Sequence, residues 1–220
     1  MRTSFIYLNK LNEERNQKEV KIKMNKSTTN IMIVGVGGQG SLLASRILGN
    51  AALKLNYDVK VSEVHGMSQR GGSVVTYVRY GEKIYSPVIC RGEADIIIAF
   101  EQLEALRWLS YLKKDGIIIT STQKINPMPV ITGAAEYPQD TIKTIVETGV
   151  KAIDVNAFSL AKQAGTDKAS NVVLIGVLAK HMSGSIGKDV YIDALRESIN
   201  PKLFDVNLAA FNLGYDIDVG

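Results

Sequence analysis

A three-layer α/β fold, with a mostly parallel sheet, helices on both faces and a helical C-terminal part, is predicted by three features of the sequence. Short apolar runs alternate with amphipathic stretches from residue 31 onward. The run Ile96-Ile97-Ile98-Ala99-Phe100 is apolar without alternation, as suits a central parallel strand buried on both faces. The first apolar run, Ile31-Met32-Ile33-Val34, passes through Gly35, Gly37, Gly38 and Gly40 into a helical pattern, the strand-loop-helix opening of a Rossmann-like domain.

Residues 41–55 carry apolar side chains at helical spacing (Leu42, Leu43, Ile47, Leu48, Ala51, Leu55), leaving Arg46, Asn50 and Lys54 for a wet face. Asp58-Val59-Lys60-Val61 reads as a short strand, and Val74-Val75-Thr76-Tyr77-Val78, rich in β-branched and aromatic residues, as another. The polar stretch from Ser62 to Ser73 is the loop between them. Gly81-Glu82 predicts a hairpin turn that lets Lys83-Ile84-Tyr85 pair back on the preceding strand, which Ser86-Pro87 ends. Beyond the strand at residues 94–100, Glu101 stands at its end. Leu103, Leu106, Leu109 and Leu112 then mark one helix, and Gly116-Ile117-Ile118-Ile119-Thr120 the next strand. Residues 124–137, with Pro127, Pro129 and Gly133, are expected to be irregular. Pro138 suits the first turn of a helix through Val146, followed by a strand at residues 150–155. Helices are expected over residues 156–164, 171–182, 189–198 and 201–213.

The chain has 220 residues, 45% hydrophobic and 22% charged, the balance of an ordinary globular protein able to bury a substantial core. One domain is expected over residues 30–220, behind a basic tail, residues 1–29, with no sustained apolar face. The net charge of +4 is concentrated in that tail rather than in a stripe, which argues against a nucleic-acid surface. Lys18-Glu19-Val20 can be encoded by a ribosome-binding sequence with Met24 at a suitable distance, so the natural start is expected at Met24. Cys90, the only cysteine, is expected to be a small buried hydrophobe. A single cysteine fits a reducing compartment and excludes an iron-sulphur cluster or dithiol motif built from this chain alone. No apolar run approaches the ~20 residues that span a bilayer, and no charged-then-apolar leader opens the chain. A cytoplasmic protein away from membranes is therefore expected. His65 and His181 have no metal-ligand spacing with nearby carboxylates, so no metal is expected. No serine or cysteine has the base and orienter of a nucleophile.

Two glycine loops hold the candidate site. Gly35-x-Gly37-x-x-Gly40 matches the dinucleotide fingerprint, with Glu63 roughly 20 residues on, where an acidic ribose partner is expected. A tight strand-to-helix turn without a nucleotide explains the same glycines through positive φ or close approach of a partner chain. The helix start behind them makes an anion site available. The second loop, Ser62-Glu63-Val64-His65-Gly66-Met67-Ser68-Gln69-Arg70-Gly71-Gly72-Ser73, leaves a strand expected to run parallel to the first, so both loops reach one edge of the sheet. His65 suits proton transfer near neutrality, tuned by Glu63, or an ordinary hydrogen bond. Arg70, ahead of Gly71 and Gly72, suits bidentate binding of phosphate or carboxylate, or an ion pair across a subunit interface.

Together these two loops closely resemble the gamma-type subunits of 2-oxoacid:ferredoxin oxidoreductases, and among them the small (beta) subunits of the indolepyruvate type. The resemblance continues through Ser86-Pro87, Gly92-Glu93-Ala94-Asp95, Phe100-Glu101-Gln102-Leu103-Glu104-Ala105-Leu106-Arg107, Tyr137-Pro138 and Asp154-Val155-Asn156-Ala157, over residues 30–213. Relatives acting on pyruvate or branched-chain oxoacids typically carry Tyr-Gly-Pro before Arg-Gly-Gly at the second loop. His65-Gly66-Met67-Ser68-Gln69 favours the indolepyruvate type. The tail, residues 1–24, has no counterpart in it.

The resemblance implies a subunit of a complex that converts an arylpyruvate, coenzyme A and oxidised ferredoxin into an aryl-acetyl-CoA, carbon dioxide and reduced ferredoxin. It implies that thiamine diphosphate and the iron-sulphur clusters sit on the large alpha subunit, that two large and two small subunits assemble, and that the isolated chain is inactive. Gly35, Gly37, Gly38, Gln39, Gly40, Ser68, Gln69, Arg70, Gly71 and Gly72 are the candidates for contact with coenzyme A or the partner subunit. Glu63, His65 and Arg70 are the candidates for any catalytic part. The alternatives are a gamma subunit for pyruvate, 2-oxoglutarate or branched-chain oxoacids, a stand-alone dinucleotide-binding protein, and a non-catalytic scaffold for the large subunit.

Overall fold

The computed structural model describes residues 28–64 and 72–219. Its centre is β1 (Thr29–Val36), whose side chains alternate between two cores: Ile31 and Ile33 face one, Met32 and Val34 the other. β2 (Asp58–Val64), β3 (Ser73–Gly81), β4 (Ala94–Ala99), β5 (Leu112–Ser121) and β6 (Lys151–Val155) complete a sheet in the order β2-β3-β1-β4-β5-β6. β1, β4, β5 and β6 pair in parallel, while β3 is antiparallel to both β1 and β2. β2 therefore runs with β1, and β3 alone runs the other way. The expected mostly parallel sheet is what forms.

Helices cover the two faces unequally. One face carries α1 (Ser41–Lys54), then, beyond β6, α5 (Ala157–Ala164), α6 (Ser170–His181), α7 (Lys188–Ser198) and α8 (Phe204–Tyr215). The other carries α2 (Gln102–Arg107) and α4 (Thr141–Glu147), with the single-turn α3 (Met128–Ile131) in the irregular segment before α4. Ile96, Ile98, Ile117 and Ile119 pack under the first layer, Ile97 and Ile118 under the second. Each such side chain contributes about 1.5–3 kcal/mol by leaving water. α6 and α8 touch backbone to backbone, because a methyl group on Gly176 would collide with the Phe211 carbonyl and one on Gly214 with that of Val173.

Several local expectations are corrected. Ser62, Glu63 and Val64 belong to β2, opposite Tyr77, Thr76 and Val75, because pairing with β3 carries the strand further than its apolar pattern does. Lys83, Ile84 and Tyr85 form no strand: β2 and β1 already occupy both edges of β3, leaving nothing to pair with. The helix expected through Leu112 stops at Arg107 and is followed by a 3₁₀ turn, Leu109–Tyr111. Leu112 instead opens β5 opposite Ala94, seated where Gly116 has no Cβ; one there would lie 2.8 Å from Leu112 Cδ1. The helix expected from Pro138 starts at Thr141, since Asp140 adopts φ 48°. The last helix divides into a 3₁₀ turn, Pro201–Leu203, and α8. Asn50 meets α7 through Ser198, whereas Lys54 lies on the wet face as expected and pairs there with Glu197 at 2.6 Å; Leu42 is 42% exposed. Cys90 is exposed as well: its neighbour Ile89 fills the core, and the Cys90 N–H is held by the Glu93 carboxylate at 3.0 Å. Among the described residues no helix is long and apolar enough to cross a membrane.

Candidate functional site

The parallel strands end together, and the strand order reverses between β1 and β4: the chain continues to one side after β1 and to the other after β4. Such a switch point leaves a crevice at the carboxyl edge of the sheet, where open α/β folds bind ligands. The first glycine loop lies here. Gly38 and Gly40 adopt φ 98° and 84°, as their expected need for positive φ required.

Gln39 closes the turn. Its Oε1 accepts from the Val36 N–H at 2.7 Å, and its Nε2 donates to the Phe100 carbonyl at 3.0 Å and to Gln123 Oε1 at 3.2 Å. One side chain thus ties the end of β1 to the end of β4 and the segment after β5. Gly35 allows this, since a Cβ there would stand 2.8 Å from Gln39 Oε1 and 3.2 Å from Phe100 Cβ. Beside the loop opens a cavity of about 460 Å³, bounded by Gly38, Gly40, Gln123, Phe158, Lys168 and Asn171 among others. Two helices begin at it, α1 and α6; α1 has no side-chain cap, so its first backbone N–H groups remain available to an acceptor, whereas on α6 the Val172 N–H is taken by Asn171 Oδ1 at 2.9 Å.

The ends of the second loop reach the same edge. Gly72 accepts from the Gly37 N–H at 3.0 Å, joining the two loops directly, and Ser73 lies opposite Val36. Ser73 Oγ is bonded to the Glu104 carboxylate, whose other oxygen pairs with Arg107 at 2.6 Å. Glu101, 1% exposed, caps α2 by accepting from the Glu104 N–H at 3.0 Å, and also accepts from the Ile125 N–H at 3.2 Å and the Tyr137 hydroxyl. Burial and the Glu101 carboxylate raise the Tyr137 phenol above its ordinary range, so it stays a donor. These buried carboxylates anchor the strand on which the second loop ends.

Glu63 accepts from Ser45 Oγ at 3.1 Å, on the α1 side of β2. A ribose partner stands on the strand next to β1 in a dinucleotide fold. Here β3 occupies that position, and β2 lies two strand spacings away, about 10 Å. His65, Ser68, Gln69, Arg70 and Gly71 lie outside the described residues. The structure therefore brings together Gly35, Gly37, Gly38, Gln39, Gly40 and Gly72, and adds Gln123, Lys168 and Asn171, which the sequence reading missed. Asn171 had a signal: a polar residue opening an otherwise apolar helix. Lys168 and Gln123 had none, because only the fold carries them to the glycine loop.

The chain was compared with known proteins. The family model described as pyruvate ferredoxin/flavodoxin oxidoreductase matches residues 30–217. Indolepyruvate oxidoreductase subunit IorB of Thermococcus kodakarensis is 47% identical over 188 residues, covering 84% of this chain and 93% of the relative. The crystal structure of pyruvate oxidoreductase subunit PORC from Thermotoga maritima superposes with a TM-score of 0.66 at 20% identity, over 87% of this chain and 97% of that one. A 2-oxoglutarate:ferredoxin oxidoreductase from Magnetococcus marinus, with 2-oxoglutarate, coenzyme A and succinyl-CoA bound, superposes with a TM-score of 0.65 at 19% identity, over 87% of this chain and 31% of that one. The two structural likenesses speak for the fold alone. The model's span from the first residues of β1 to the end of the last helix decides the kinship, and the chain belongs to the pyruvate ferredoxin/flavodoxin oxidoreductase family.

Proposed function

We propose that this chain is the small subunit of a cytoplasmic, indolepyruvate-type 2-oxoacid:ferredoxin oxidoreductase, and that its carboxyl-edge cavity receives the phosphate end of coenzyme A where small and large subunits meet. The 47% identity to an indolepyruvate oxidoreductase subunit supports the first half. The second half rests on one observation: the uncapped start of α1, the opening turn of α6 and Lys168, the one basic side chain among the lining residues and set beside Asp167, converge on the same 460 Å³ cavity. Backbone N–H groups and a lysine suit a diphosphate, and the apolar wall at Phe158 and Leu174 suits the rest of an amphipathic ligand. The Magnetococcus structure, of the same fold, holds coenzyme A.

In this reading the chain binds and orients, and the redox chemistry is the large subunit's. One cysteine cannot supply the four thiolates that a cluster generally takes. Among the described residues no group of three His, Cys, Asp or Glu side chains could hold a metal ion. Thiamine diphosphate, which supplies the carbanion chemistry of oxoacid decarboxylation, and the clusters that pass electrons to ferredoxin belong to the partner. Gly38 and Gly40 give the cavity its backbone donors, Gln39 holds them in place, and Gly37 ties their loop to Gly72. Arg70, with Gly71 and Gly72, carries the contact onward to a coenzyme A phosphate or a partner carboxylate. Two large and two small subunits assemble.

The test is to purify the chain, tagged at its C-terminus and without oxygen, together with the large subunit, and to follow indolepyruvate-dependent ferredoxin reduction. A brown complex that requires coenzyme A supports the reading. A colourless chain that purifies alone and binds a dinucleotide contradicts it. In the active complex, Arg70→Ala separates an interface role, seen as loss of assembly, from a raised coenzyme A KM.

A further inference from the structure

We propose that Asn171 is a positioning residue for the carboxyl-edge site, fixing the direction in which the glycine loop presents its backbone donors; this rests on the reading that the cavity takes coenzyme A. Asn171 lies in the first turn of α6 and is 5% exposed. Its side chain works in two directions: Nδ2 reaches across 131 positions of sequence to donate to the Gly40 carbonyl at 3.1 Å, while Oδ1 accepts from the Val172 N–H in the first turn of its own helix at 2.9 Å. The second bond settles which end of the amide faces the loop.

The carbonyl it holds is a sensitive one. Gly40 O is also the first acceptor of α1, taking the Ala44 N–H at 3.2 Å. Holding that oxygen from outside the helix fixes the plane of the peptide between Gly40 and Ser41, and with it the direction of the Ser41 N–H at the start of α1. Gly40 and Asn171 are fitted to each other. At φ 84° Gly40 adopts a conformation that L side chains rarely take, and a Cβ there would strike the Asn171 amide. Both residues line the cavity. A carboxylate at position 171 keeps the shape of the side chain but turns a donor into an acceptor facing a carbonyl oxygen.

The test uses assembled complexes carrying Asn171→Asp, Gly40→Ala, or Gly40→Ala with Asn171→Ala, each checked for assembly by gel filtration and for Tm. Asn171→Asp is expected to raise the coenzyme A KM about tenfold, the scale of one lost hydrogen bond, with kcat and oxoacid KM unchanged. Gly40→Ala should do the same, and the double variant should be no worse than Gly40→Ala alone, since its collision partner is gone. If Asn171→Asp does not assemble, Asn171→Ser, which shortens the donor without adding charge, is read by the same split. An unchanged coenzyme A KM in an assembled Asn171→Asp complex overturns the proposal. Lys168→Glu then shows where the failure lies: if it raises that KM the cavity reading stands without Asn171, and if it too does nothing the cavity reading falls. A lower Tm with no KM shift makes Asn171 purely structural and also overturns it.

Discussion

Two cavities of about 460 Å³ each open at opposite ends of the sheet, and α6 connects them, starting at Ser170 beside the glycine loop and ending at His181 in the other. Over its 12 residues, about 18 Å, the helix offers backbone N–H groups and the positive end of its dipole to the first cavity, and carbonyls and the negative end to the second. Side chains deepen the contrast. At the amino edge, Lys113 pairs with Asp95 at 3.0 Å, and Asp95 also accepts from the Asn30 N–H at 2.9 Å. Asp95 and then Asp115 hold the Lys113 amine above its ordinary pKa, while burial and Lys151 push the His181 imidazole below its own. Charges there answer one another. At the carboxyl edge Gln39 Oε1 is spent on the Val36 N–H and Asn171 Oδ1 on that of Val172, so that Lys168, Asp167 and the start of α1 face the cavity. Equal volume thus does not make equal sites; the helix ends that meet at each do.

The largest expected effect strikes the helix that joins the two ends. Gly176→Ala places a methyl group against the Phe211 carbonyl on α8 and should cost about 1–3 kcal/mol, with roughly 2–4 °C of Tm lost per kcal/mol at this chain length. Thermal unfolding of the purified chain reads it. An unchanged Tm would mean that α6 and α8 are not in backbone contact, and the shared-helix comparison would break.

Much of this frame was legible beforehand. Unbroken apolar runs gave β4 and β5, and glycines after an apolar strand gave the turn into α1, because these patterns reflect burial by the whole fold. Pairing partners were less legible. The sequence around Ile84 suits a strand, but only the sheet order shows that β3 has no edge to offer. The same limit applies to the site: Gly35 to Gly40 announce themselves locally, whereas Asn171 and Lys168 meet them only through a contact more than 120 residues away in sequence. Cys90 shows the reverse error, a residue type that is usually buried standing exposed because its neighbour Ile89 took the core position.

A smaller effect probes the amino edge. His181 gives up its proton more readily in the fold than in the unfolded chain, so the unfolded chain binds more protons as pH falls through about 6.5. Its contribution to stability is therefore present above that pH and lost below it. In His181→Gln the difference in urea midpoint between about pH 7 and about pH 5 should shrink. An identical difference would show that His181 is not held neutral by its surroundings.

The most direct measurement of the central claim is the coenzyme A KM of assembled complexes carrying Lys168→Glu at the carboxyl edge or Lys151→Glu at the amino edge. Both variants reverse one lysine charge at a cavity of the same size. The account predicts that Lys168→Glu raises that KM about fivefold or more, while Lys151→Glu leaves it unchanged. Equal effects, or an effect of Lys151→Glu alone, would contradict the placement of coenzyme A at the glycine loop.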